Sequence, residues 1–102
     1  MKEEVWIGLA QLSQRPGTGV LMDRNLAYAT VLGLADSADS FKKVVGDAAD
    51  RMGFDLLELE EEEPVRVRQL RCEVPAAALR LASEVSDTRE VRFSPFYTWI
   101  SE

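Results

Sequence analysis

Residues 27–65, AYATVLGLADSADSFKKVVGDAADRMGFDLLELEEEEPV, decide the fold. At their centre Phe41, Val44, Val45, Ala48, Ala49 and Met52 recur at helical spacing, which predicts an amphipathic helix over 37–52. Asp36 or Ser37 offers a short side-chain oxygen to the amides of its first turn. Gly53 stands where a left-handed residue ends a helix, and Phe54 can fold back over Ala49. Ahead of the helix, residues 26–34 alternate. Leu26, Tyr28, Thr30, Leu32 and Leu34 line one face; Ala27, Ala29, Val31 and Gly33 line a thin one that a helix can approach closely. Behind it, residues 54–61 (FDLLELEE) read as a strand under the helix, completing a β–α–β unit.

Working outward, residues 4–12 (EVWIGLAQL) carry apolar groups on both faces, as an interior strand does. Arg15-Pro16-Gly17-Thr18-Gly19 predicts a type II turn. Its glycines are not a phosphate loop, because no Gly-Lys followed by Ser or Thr comes after them. After Pro64, the alternation Val65-Arg66-Val67-Arg68 predicts a strand, and the changed phase of Leu70, Cys72 and Val74 predicts a bulge near Gln69. Pro75 suits a first helical position, and Ala78, Leu81, Ala82 and Val85 form a second stripe that ends at Ser86-Asp87-Thr88. A last strand runs from Val91 to Ile100, with Pro95 marking an edge or a bulge.

The predicted order is ββαββαβ. Without its first strand it resembles the ferredoxin-like plait over about residues 26–100. The resemblance implies an α+β fold: a βαββαβ plait with an extra N-terminal strand, its sheet mostly antiparallel and two helices on one face. The 27–65 stretch also resembles small stand-alone bacterial proteins without an assigned function, and that likeness implies no activity. A chain of 102 residues is expected to form one domain, 1–102.

Composition narrows the chemistry. There is no histidine, so the commonest metal ligand and the commonest general base at neutral pH are both missing. Cys72 is the only cysteine, which excludes an intramolecular disulfide and a cysteine-based zinc site. A site made of carboxylates alone stays open, but no metal and no cofactor is expected. The net charge of −6 disfavours nucleic acid and anionic membranes as partners. The start, MKEEVWIGLAQL, is neither a signal peptide nor a membrane anchor, and a cytoplasmic location is expected. Charge is also unevenly placed: Asp36 to Glu63 holds ten acids against Lys42, Lys43 and Arg51, whereas Pro64 to Arg92 holds six arginines against four acids.

Three groups could act. Cys72 could be a nucleophile beside Arg71, but it shares its phase with Leu70 and Val74 as a core residue would. Arg66, Arg68 and Arg71 could hold a carboxylate or phosphate, or simply neutralise the Glu60–Glu63 run. The tail Phe93, Phe96, Tyr97 and Trp99 supplies half of the chain's aromatics; Tyr97 and Trp99 could anchor a partner or a second copy.

The leading expectation is a non-catalytic protein-binding module, a small acidic antagonist of a basic protein, as toxin-neutralising immunity proteins are. Glu58, Glu60, Glu61 and Glu62, with Tyr97 and Trp99, would then bind the partner. The alternative is a small-molecule binding protein or enzyme that resembles the dimeric α+β barrels. In it Tyr28, Tyr97 and the arginines would hold the ligand between two sheets.

Overall fold

A computed structural model describes residues 3–15, 26–71, 74–94 and 97–99, the last three by their backbone. Most of the expected turn (residues 16–19), Cys72, Pro95 and Phe96 lie outside the described residues, as do the side chains of Tyr97 and Trp99.

Strand β1 (Glu4–Gln14) pairs antiparallel with β2 (Leu26–Ala35), from Glu4 opposite Ala35 to Ser13 opposite Leu26. The other side of β1 pairs antiparallel with β3 (Phe54–Pro64). Beyond β2, two short strands follow one another along its outer side, β4 (Arg92–Phe93) and β5 (Tyr97–Trp99). The sheet order is therefore β3-β1-β2-β4, with β5 also on β2 and every pairing antiparallel. This is an α+β fold.

The three helices are α1 (Ala38–Arg51), α2 (Val65–Arg71) and α3 (Ala76–Thr88). The first forms as its stripe predicts. Ser37 is the N-cap: its Oγ accepts from the Ser40 backbone N–H while its own backbone N–H donates to Ser40 Oγ, a capping box. Gly53, at φ 85°, turns the chain into β3.

The expected strand after Pro64 is corrected: Val65 to Arg71 is helix. The position that a plait gives to its third strand lies between β2 and β3, and β1 already fills it, using both of its edges. With no free edge there, the segment satisfies its backbone internally instead. The valine–arginine alternation was a weak guide, because arginine, leucine and glutamine are also good helix formers. Pro75, expected inside the next helix, is its N-cap, at ψ 146°.

The two helices expected on one face are also corrected. Ala10, Leu12, Ala27 and Val31 share one face with Phe41, Val45 and Ala49 of α1. Ile7 and Leu32 share the other with Val65 of α2 and with Ala78 and Val85 of α3. The reason lies in β1 and β2, which are apolar on both faces and need cover on both.

The α1 face is thin at its middle. A Cβ on Gly8 would lie 3.1 Å from Leu59 Cδ1 and 3.3 Å from both the Glu60 carbonyl oxygen and Phe41 Cε2. A Cβ on Gly33 would lie 3.5 Å from Phe41 Cε1 and 3.1 Å from Val91. The fully buried Phe41 ring thus rests on two glycines of neighbouring strands, tilted 34° to the Trp6 ring at 6.0 Å. Replacing Gly8 by Ala is expected to cost about 1–3 kcal/mol through overpacking. Phe41→Ala is expected to cost about 3–5 kcal/mol through the cavity it leaves. Urea unfolding of both variants checks these values.

Candidate functional site

The acidic residues singled out from the sequence fall on β3, the outermost strand on its side of the sheet. Its pairing with β1 is broken twice. Ile7 faces Glu63 and Leu9 faces Glu60, so Gly8 has both Glu61 and Glu62 across from it. Gln11 faces Glu58 and Leu12 faces Leu56, which leaves Leu57 as an extra residue, 52% exposed. Glu61 takes a left-handed φ of 55°, as the first residue of one kind of bulge does. Between the bulges Glu58, Leu59 and Glu60 follow regular register. Opposite Gln11 and Leu9, Glu58 and Glu60 point to the same face of the sheet, two residues apart.

The arginines occupy different places. Arg66 grips Glu4 with two parallel bonds, Nε to Oε1 at 3.0 Å and Nη2 to Oε2 at 3.1 Å. Arg68 donates from Nε to Glu63 Oε2 at 2.8 Å and reaches the Glu61 carbonyl oxygen with its other end. Arg71, one helical turn on, donates to the same Glu63 oxygen. Helix α2 therefore sends two guanidinium groups to one carboxylate at the end of β3. The three arginines do not converge on a common anion site.

An open cleft of about 610 Å³ lies beside this cluster. Glu61, Glu62, Glu63, Arg68 and Arg71 line one side, and Pro75 and Ala78 at the start of α3 line another. Its charges are mixed and partly matched to one another. Elsewhere, the Tyr28 phenol accepts a bond from Gln11 Nε2 at 2.6 Å. The backbone of β5 sets Tyr97 opposite Tyr28 and Trp99 opposite Leu26.

Arginine contacts shift the titration of Glu63 and Glu4. The hydrogen bond from Arg68, joined by that from Arg71, holds the Glu63 carboxyl below its ordinary value of 4.5 despite the opposing effect of burial. The Arg66 hydrogen bond does the same for Glu4. Glu58, Glu60, Glu61 and Glu62 have no ion pair among the described residues. Of the two roles the sequence allows for these arginines, neutralising the Glu60–Glu63 run is the one Arg68 and Arg71 take, at Glu63. Their i, i+3 spacing is the signal in the sequence that a helix would bring both to one place. No residue type announces the exposure of Leu57, which depends on a bulge.

Among the described residues no group of three His, Cys, Asp or Glu side chains could hold a metal ion, and no helix is long and apolar enough to cross a membrane. Set against known protein families, curated proteins and solved structures, the chain matches none of them.

A depressed folded-state pKa contributes stability that is present above the ordinary carboxylate value and lost as pH falls through the folded one. The melting temperature of the wild-type chain is therefore expected to fall as pH drops from about 5 towards about 3. Glu63→Gln is expected to flatten part of that acid limb, as followed by circular dichroism at each pH.

Proposed function

We propose that this chain is a non-catalytic protein-binding module, and that the β3 edge receives a basic protein partner in the manner of a small acidic antagonist. One observation carries the reading. Glu58, Glu60, Glu61 and Glu62 lie on an outer strand with no ion pair among the described residues. The nearby Arg66 and Arg68 are meanwhile engaged with Glu4 and Glu63. Neighbouring like charges without a counter-charge repel one another, and a cationic surface relieves that repulsion on docking. The same field speeds the encounter and weakens as salt screens it. The lack of histidine is in keeping with a role that needs no proton transfer at neutral pH.

A dimeric barrel needs a broad sheet face free to close over a ligand. Here α1 packs on one face and α3 on part of the other, and the Tyr28 phenol already accepts a bond from Gln11. These features favour the binding module.

The test is affinity capture of the tagged chain from its native lysate at low and moderate salt, beside a variant with Glu58, Glu60, Glu61 and Glu62 all changed to Gln. One stoichiometric basic protein, lost with the variant and weakened roughly tenfold or more by salt, is the expected result. Equal capture by both forms would remove the acidic edge from the function.

A further inference from the structure

We propose that the docked part of the partner is a short extended segment that adds to β3 as a further strand, with cations at alternate positions facing Glu58 and Glu60. This rests on the basic-partner reading above and goes on to specify the shape of what binds.

The outer side of β3 has no strand partner among the described residues, so alternate backbone N–H and C=O groups there are aimed away from β1. Such an edge is a template for pairing. Which chain can use it is decided by the side chains. A second copy of β3 would set glutamates against glutamates, and like charges directly across a strand pair are destabilising. A strand bearing arginine or lysine instead finds opposite charge at the same spacing. Glu58 and Glu60 share one face two residues apart, a separation of roughly 7 Å, which is the repeat of alternate residues in an extended chain.

The bulges limit the length. Regular register holds from Glu58 to Glu60, between the extra residue Leu57 and the doubled position at Glu61 and Glu62. The occupant therefore reads as cation–any–cation, followed on one side by an apolar residue that can cover the exposed Leu57. The same devices restrict what the edge recruits: the acids repel acidic strands, a second copy of β3 included, and the bulges refuse a long flat partner.

The experiment uses the full chain and end-blocked eight-residue peptides of alternating arginine and threonine. Two further versions carry N-methyl groups on alternate amides, one in each phase. Titration calorimetry gives affinity, and hydrogen–deuterium exchange reports on β3. The unmodified peptide is expected to bind and to slow exchange within residues 58–60. The N-methylated version that loses the pairing amides is expected to bind roughly tenfold more weakly. Equal affinity for all three peptides would overturn strand addition and leave a charge-only partner standing. No binding of any peptide while lysate capture still yields its basic protein would also overturn it. Failure of both would bring down the basic-partner reading itself. Protection of β3 that appears without peptide and rises with protein concentration would assign the edge to a second copy and overturn the proposal.

Discussion

The seating of Phe41 on Gly8 and Gly33 is the contact on which the rest of the architecture depends. It joins a helix to two adjacent strands at a separation that a side chain at Gly8 would increase, while at Gly33 the tight neighbour is Val91. Because the ring reaches the backbone plane, α1 sits low enough to bury Val45 and Ala49 against the alanines of β1 and β2. The Gly8 contact extends to β3, whose Leu59 and Glu60 lie against the same point, beside the bulge at Glu61 and Glu62. One small-residue position thus serves the helix approach and the irregular strand together. Close packing without voids makes both requirements strict.

The central place of β1 shapes the second half of the chain. By pairing on both edges it closes the gap between β2 and β3, and the residues after Pro64 turn into helix rather than joining the sheet. Two of their arginines, Arg68 and Arg71, then reach back to Glu63 at the end of β3, while Arg66 reaches Glu4 of β1. Arg68 and Arg71 are held by Glu63, and the four glutamates before it have no ion pair among the described residues. The charge pattern of the edge is in this sense a product of sheet order.

Much of this was legible in the residues. Helix α1 could be read from its stripe, a cap at Asp36 or Ser37 that falls on Ser37, and Gly53, because each signal is local and all agree. The thin face of β2 announced a close helix, and the alternation of β1 on both faces announced an interior strand. That same alternation implied that both faces need cover, yet the family resemblance pointed to helices on one. The segment 65–71 failed because alternation over four residues fits a short helix almost as well as a strand. What decides it is the occupancy of an edge by residues some sixty positions away, and no local pattern carries that. The glutamates of β3 are plain in the sequence, but that Glu63 is the one of them with an ion pair among the described residues depends on where α2 lies.

The position of β1 also bears on the order in which the molecule can assemble. Its first partner, β2, follows closely in the chain, and the two can zip together as a hairpin. Its second partner, β3, must wait for the intervening helix, because α1 bridges β2 and β3 across the breadth of β1. On a ribosome, which delivers the chain from its N-terminus, the middle strand of the sheet is made first and completed on its second side only after Pro64 has emerged. Until then an apolar strand stands with one edge bare, and contacts of long sequence separation form the slow part of folding. The acidic strand that later shields that edge is the one left facing outward.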